Sequence, residues 1–129
     1  MPTLVRFRKL SYMEFEEQAK NIVAFLLKNM PRFPKSTRFI FQTKLSEISF
    51  SMLENIKIAQ TFLIKDGDTK TNYLKIALGQ LNCLETIWNL TYKMYQQQIP
   101  MGLNEELGEL IKLERNLLLG VINSNKQRL

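Results

Sequence analysis

The chain has no histidine among its 129 residues. Histidine is the most common general base in enzymes and the most common metal ligand, so its absence excludes a histidine-dependent catalytic triad and a zinc site with histidine ligands. The single cysteine, Cys83, excludes an internal disulfide bond, and its position in an apolar helical pattern predicts that it is buried. We therefore expect neither a metal nor a cofactor.

Glycine and proline are also scarce, with five and four residues respectively. So few turn-forming residues leave little room for the many tight turns of an all-β fold. No apolar run approaches the roughly 18 to 20 residues needed to span a bilayer. No apolar stretch of signal-peptide length follows the basic residues near the N-terminus. The sequence therefore predicts a cytoplasmic all-α protein with no membrane association.

Apolar residues recur at three- and four-residue steps in four segments, which is typical of helices that bury one face. The predicted helices cover residues 12–30, 36–63, 69–97 and 104–124. Their connections are short, which favours antiparallel neighbours. The predicted fold class is all-α, an up-down-up-down antiparallel four-helix bundle over residues 12–124. An N-terminal arm at 1–11 and a polar basic tail at 125–129 flank it.

The third segment has the most regular pattern. One apolar seam follows alternating steps of three and four residues, and a second seam with the same spacing lies beside it. Two adjacent seams predict a helix that contacts two neighbours. Gly79, isolated within this segment, predicts the close approach of a neighbouring backbone. The first seam is Leu74, Ala77, Leu81, Leu84, Trp88, Thr91 and Tyr95, and the second is Tyr73, Ile76, Gln80, Cys83, Ile87, Leu90 and Met94.

The carboxylates form no recognisable acid–base pair, and there is no glycine-rich phosphate loop. Glu85 stands alone on the third predicted helix, where pairing at the surface or between helices is its expected role. The fourth predicted helix is expected to carry a solvated acidic face that also complements the helix dipole. We therefore expect that the protein is not an enzyme. The residues of this acidic face are Glu105, Glu106, Glu109 and Glu114.

The net charge of +6 belongs mainly to the N-terminal third of the chain. Residues 1–44 carry nine lysines and arginines against three glutamates, whereas residues 45–95 are balanced. Residues 96–125 carry a net charge of −2, and Lys126 and Arg128 in the tail contribute a charge of +2. Residues 1–44 are therefore the region of the chain most favourable for binding a polyanion.

Five of the cations lie in the segment KNMPRFPKSTRFIFQTK, residues 28–44, which contains no acidic residue. Pro31 and Pro34 interrupt one helical pattern and Ser36 is a suitable N-cap for the next, so the segment is predicted to form a corner between two helices. Cations without counter-charges repel one another, a cost that is easiest to tolerate beside a polyanion such as RNA. A solvated basic loop is the alternative.

Three further cations lie on the arm, and aromatic residues are interleaved with both basic groups. Cations can pair with phosphates, and aromatic rings can stack on the unpaired bases of single-stranded RNA. We expect Phe33 and Phe39 to belong mainly to the core, which leaves the cations as the candidate contacts. The candidate nucleic-acid-binding residues are Arg6, Arg8, Lys9, Arg32, Lys35, Arg38 and Lys44.

Many apolar residues fall outside the four stripes. One bundle cannot bury all of them, and exposed apolar surface on this scale marks an oligomer or a partner interface. We therefore expect self-association through the flanks of the helices. These residues are Phe25, Leu27, Phe41, Phe50, Ile58, Phe62, Tyr92, Leu113 and Leu119.

Three segments carry a resemblance to a known family. They are FPKSTRFIFQTKLSEISFSMLENI from Phe33, YLKIALGQLNCLETIWNLTYKM from Tyr73 and LGELIKLERNLLLGVINS from Leu107. Together they resemble the Avd-like family of small four-helix bundles, the accessory variability determinants of diversity-generating retroelements. This family is related to the bundle proteins encoded in intervening sequences of bacterial 23S ribosomal RNA genes. The F-P-K-S-x-R-F corner points to the Avd-like proteins, whereas Y-L-x-I-A-L-G is shared with the ribosomal group.

The resemblance implies a barrel-shaped homopentamer with a basic surface. It also implies association with a reverse transcriptase and its template RNA during mutagenic copying of a template repeat. It implies no catalytic residue. The functional residues that it implies are the basic ones of the corner, Arg32, Lys35 and Arg38. The acidic fourth helix departs from the strongly basic family members, whose cations are spread over several helices. The alternative function is an interaction scaffold of the ribosomal intervening-sequence type, which docks protein partners without nucleic acid.

Overall fold

The computed structural model describes the backbone of residues 2–29, 35–62 and 67–127, and the side chains of residues 14–29, 40–62 and 67–124. These residues form four α-helices and no strand, which confirms the all-α fold class and the number of helices. The helices are α1 (Pro2–Asn29), α2 (Lys35–Thr61), α3 (Gly67–Met94) and α4 (Met101–Gln127). None of them is both long enough and apolar enough, over the described residues, to span a membrane.

One hydrophobic core joins the four helices. Each helix contributes side chains that are completely buried, including Phe15 of α1, Met52 of α2, Leu81 of α3 and Leu118 of α4. The first seam predicted for α3 is confirmed, because all of its members are buried except the half-buried Tyr95. Burial of one apolar stripe from each helix is the main source of stability for such a fold.

Each helix packs against two neighbours, in the order α1, α2, α3, α4 and back to α1. The α2–α3 interface is much the most extensive of the four. Three side-chain contacts are spaced along it, two between aromatic rings and one between amides. They are Phe41 with Tyr95 (ring centroids 5.8 Å apart), Asn55 Nδ2 with Gln80 Oε1 (2.9 Å) and Phe62 with Tyr73 (5.6 Å).

Helix α1 begins at Pro2, so the predicted start near Tyr12 is wrong by about ten residues and the predicted arm is helical. The segment before Tyr12 lacks an apolar period, but it also lacks glycine and any internal proline that would break a helix. At the other end of the chain, α4 continues to Gln127 and takes in part of the predicted tail. Periodicity alone therefore underestimated both terminal helices.

Helix α4 begins at Met101, three residues before the predicted N-cap Asn104. The backbone N–H groups of Leu103 and Asn104 donate to the carbonyl oxygen of Pro100 at 3.0 and 3.4 Å, so the first turn is closed earlier than predicted. The Asn104 side chain has a different partner. Its Oδ1 accepts a hydrogen bond from the indole Nε1 of Trp88 at 2.8 Å, which ties the start of α4 to α3.

The second seam of α3 is only partly covered, and two predictions about it are wrong. Tyr73, Gln80 and Ile87, spaced seven residues apart, are half-buried, and the first two contact α2. The alternate members of the seam face outward, so Cys83 is exposed rather than buried. Gly79 is exposed as well, and a Cβ atom there would meet nothing within 4 Å, so no neighbouring backbone approaches it closely.

Candidate functional site

The predicted cations on α1 lie far from the predicted corner. Arg6, Arg8 and Lys9 fall in the N-terminal third of α1, whereas Lys28 lies in its last turn. The rise of 1.5 Å per residue places Lys9 and Lys28 about 28 Å apart along the helix axis. The structure therefore separates the candidate cations into two groups. The side chains of the first group, and the whole of Arg32, lie outside the described residues.

The second group surrounds the start of α2. Lys35 is the first residue of this helix and Arg38 follows within its first turn, which contains no acidic residue. The first turn of a helix carries unsatisfied N–H groups and the positive end of the helix dipole, so cations there are unfavourable and anions favourable. Lys44 lies farther along α2 and is exposed. The backbone thus places Lys35 and Arg38 in a turn where the helix dipole also favours an anion. The side chains of Lys35 and Arg38, like those of Phe33 and Phe39, lie outside the described residues.

A further cation, Lys93, lies near this group. It is exposed in the last turn of α3. The ring contact between Phe41 and Tyr95 brings the end of α3 to the beginning of α2. The sequence did not identify Lys93 because it is separated from the corner by some fifty positions, and only the packing of α2 on α3 brings the two together. We call Lys35, Arg38, Lys44 and Lys93 the α2 basic group.

The predicted pairing of Glu85 between helices is confirmed. The Arg115 Nη2 atom of α4 donates to Glu85 Oε1 at 2.6 Å, and its Nε donates to Asn82 Oδ1 at 3.1 Å. Both charged side chains are partly exposed, so solvent screens the pair and its contribution to stability is small. This cluster joins α3 to α4.

Glu114 is the residue whose environment differs most from the prediction. The prediction that it belongs to a solvated face of α4 is wrong, because it is 0% exposed, whereas Glu105, Glu106 and Glu109 are exposed as predicted. Neither of its carboxyl oxygens has a hydrogen-bond partner. Burial raises the pKa of Glu114 to about 8, because the charged form loses its hydration. The signal was present in the sequence, since position 114 falls on the apolar stripe of α4 between Ile111 and Leu118.

A polar contact between α1 and α4 lies one helical turn before Glu114. The buried Gln18 of α1 donates from Nε2 to the carbonyl oxygen of Leu110 at 3.2 Å, one turn before Glu114. The Gln18 Oε1 atom accepts from Asn21 Nδ2, also at 3.2 Å. Asn21 and Leu110 line an open groove between α1 and α4, together with Phe25, Lys28, Leu103 and Glu106.

Large apolar side chains remain exposed on several helices, as expected from the excess of apolar residues. On α3 the outward members of the second seam, Ile76, Leu90 and Met94, are 50%, 51% and 56% exposed. Of the predicted flanking residues, Leu27, Phe50, Ile58, Leu113 and Leu119 are exposed. Phe25 is buried, which contradicts the prediction, and it packs edge-on against Trp88. The half-buried ones are Phe41, Phe62 and Tyr92.

The described residues contain no group of three or more histidine, cysteine, aspartate or glutamate side chains able to hold a metal ion. Comparison of the chain with family models, with curated proteins and with solved structures found no match. The features of the chain that bear on function are therefore the α2 basic group, the exposed apolar surface and the resemblance carried by the sequence.

Proposed function

We propose that this chain is a non-enzymatic RNA-binding accessory protein that acts with a reverse transcriptase in mutagenic copying of a template RNA. The observation that carries the proposal is the absence of any acidic residue from the first turn of α2, where Lys35 and Arg38 lie. A phosphate group at this position would lie at the positive end of the helix dipole, in a turn whose sequence supplies two cationic residues. The resemblance to the Avd-like family adds the reverse transcriptase and the template RNA as partners.

The proposed topology is an up-down-up-down antiparallel bundle in the cytoplasm. Support comes from the order of contacts between α2 and α3, since the residue number rises along one helix as it falls along the other. In such a bundle the start of α2, the end of α3 and the end of α1 share one end. Lys28 and the α2 basic group would then form one surface, and the cations at the start of α1 would form another at the opposite end.

The test is RNA affinity measured against salt concentration. If the four cations of the α2 basic group each contact a phosphate of single-stranded RNA, the slope of log affinity against log salt is about −3. Lys35→Ala/Lys44→Ala should make the slope shallower by about 1.4. Lys75→Ala/Lys112→Ala is the matched control, because it removes the same charge from exposed positions on α3 and α4. Equal losses in the two double variants would refute a localised RNA site.

We also propose that the protein assembles with copies of itself, as a homopentamer. The accessible surface of the chain is 8273 Å², whereas a compact monomer of 15.2 kDa exposes roughly 7,100 Å². The excess, about 1,200 Å², is larger than the roughly 800 Å² that each partner contributes to a standard interface. Light scattering should report about five times the monomer mass. Ile76→Glu/Leu90→Glu should lower that mass, whereas Leu113→Glu serves as the control on α4.

The exposed apolar seam of α3 also favours a second function, an interaction scaffold that docks protein partners and binds no nucleic acid. Ile76, Leu90 and Met94 would then contact a helix of another protein rather than a second copy. The two functions differ in what co-purifies with the chain. Co-purification of nuclease-sensitive RNA and a reverse transcriptase would support the accessory function. A protein that is free of RNA and keeps its protein partner after the Ile76→Glu/Leu90→Glu change would contradict both functions, because neither RNA nor the apolar seam of α3 would then be involved.

A further inference from the structure

Neither carboxyl oxygen of the buried Glu114 has a hydrogen-bond partner among the described residues that would stabilise a charge. The amide of Gln18, on the neighbouring α1, is already bonded to the Leu110 carbonyl and to Asn21. Arg115, which follows Glu114 in the chain, is directed to Glu85 and Asn82 on α3. The Gln18 amide and the Arg115 guanidinium are therefore both bonded to other acceptors, and an ionised Glu114 would have no charge-stabilising partner among the described residues unless it reached water.

The charged side chains that the structure describes on the helices around Glu114 do not compensate it either. On α1, Glu14 and Glu17 are exposed, and Glu17 pairs with Lys20 at 3.2 Å. On α3 the nearby charge is Glu85, which is occupied by Arg115, and on α4 Glu109 and Lys112 are exposed. The only cause of the raised pKa of Glu114 is accordingly its burial.

The contact between α1 and α4 is open to water close to Glu114 along the chain, because a groove between these helices reaches Leu110. The open groove between these helices ends at Asn21 and Leu110, and Gln18 is bonded to both of those residues. Glu114 lies one helical turn beyond Leu110. Breaking the hydrogen bond from Gln18 to Leu110 would extend the groove toward the carboxyl without disturbing the more extensive α2–α3 interface.

We propose that Glu114 is a proton-controlled latch on the contact between α1 and α4. In its neutral form the carboxyl stays in the core and α4 remains closed on α1. When the proton is lost, the contact opens beside Gln18 and the carboxylate reaches water, while α2 and α3 stay packed. This device is independent of the proposed RNA binding, since it involves none of the residues of the α2 basic group.

Hydrogen exchange of the full chain at pH 6 and pH 9, corrected for the intrinsic exchange rate, tests the latch. In the open state Glu114 has an ordinary pKa, whereas in the closed state its pKa is about 8. The equilibrium constant for opening should therefore rise about 100-fold between the two pH values. The opening should expose residues 15–26 and 107–122 at a free energy below that of global unfolding, whereas the centres of α2 and α3 should exchange only through global unfolding. One common free energy of opening in all four helices would overturn the latch, because it would indicate global unfolding alone.

Two variants separate the latch from a general effect of pH. Glu114→Gln keeps the size of the side chain but cannot ionise, so the 100-fold rise should disappear. Glu109→Gln removes an exposed carboxyl from the same helix and should behave like the unmodified protein. A rise of equal size in Glu114→Gln would overturn the proposal.

A measurement on the unmodified chain keeps the proposal testable if Glu114→Gln does not fold. Carbon-detected NMR of the glutamate carboxyl groups should show one resonance that titrates near pH 8, with the same midpoint as the opening of the α1–α4 contact. Titration of every glutamate between about pH 4 and 5 would overturn it.

Discussion

Replacement of Glu114 by glutamine should remove a large pH dependence from the stability of the whole protein. The folded-state pKa of Glu114 is about 8 and its ordinary value is 4.5. The folded protein therefore binds more protons than the unfolded chain between these values, and its free energy of unfolding falls as the pH rises through that window. Each pKa unit corresponds to 1.36 kcal/mol, so the full loss is about 5 kcal/mol.

Urea denaturation at several pH values between 5 and 9 measures this loss. Between pH 6 and pH 9 the free energy of unfolding of the unmodified protein should fall by about 3 kcal/mol relative to that of Glu114→Gln. Glu109→Gln should follow the unmodified protein, because its carboxyl is exposed. The comparison between variants cancels the titration of all other groups. Parallel curves for all three proteins would refute the burial argument.

An apolar replacement extends the same reasoning. Glu114→Leu places a hydrophobic side chain of similar size on a stripe that is apolar on both sides, and it removes two carboxyl oxygens that have no hydrogen-bond partner. Replacing a buried ionisable group by a well-packed apolar one is commonly stabilising. At pH 7.5 the gain in the free energy of unfolding should be about 4 kcal/mol. A destabilised Glu114→Leu variant would show that the carboxyl has partners in solution.

Three smaller predictions follow from the packing, each measured by the free energy of unfolding. Leu81→Ala should cost about 2 to 5 kcal/mol because Leu81 is completely buried, whereas Leu90→Ala should change stability by no more than about 0.5 kcal/mol in the monomer. Gly79→Ala should stabilise the protein by about 1 kcal/mol, since a Cβ atom there meets nothing within 4 Å. Asn104→Ala should cost about 1 to 3 kcal/mol because it removes the hydrogen bond that the Trp88 indole donates to the Asn104 side chain, and Asn104→Asp, which keeps an acceptor, should lose less.

The helical pattern predicted the four helices well because burial of one apolar face determines both the period and the fold. The first seam of α3 is buried as its spacing indicates, and Glu85 pairs with a neighbouring helix as its isolation suggests. The helix ends were less predictable. A helix that extends beyond the core does not need an apolar period, so the residues before Tyr12 are helical without one. The start of α4 depends on the carbonyl of Pro100 rather than on an Asn104 cap.

The candidate site was less predictable than the fold, because it depends on which helices are neighbours. The charge pattern along the chain identified the cations of α2 but grouped them with Arg6, Arg8 and Lys9. These three residues lie near the N-terminal end of α1, far from its C-terminal end at Asn29. It also missed Lys93, which joins the α2 basic group only through the contact between Phe41 and Tyr95. Linear charge density therefore locates a basic segment, whereas the membership of a surface requires the packing.

The burial of Glu114 follows from its position in the helical pattern and not from its residue type. A glutamate on a helix with three other glutamates is normally solvated, and that expectation is correct for Glu105, Glu106 and Glu109. The spacing from Ile111 to Leu118 nevertheless places position 114 on the buried stripe, where any side chain must enter the core if α4 packs at all. The apolar residues on both sides supply the free energy that holds the carboxyl in the core. The protein can retain it as long as the carboxyl is neutral, which is why its protonation and the closure of α4 are expected to be coupled.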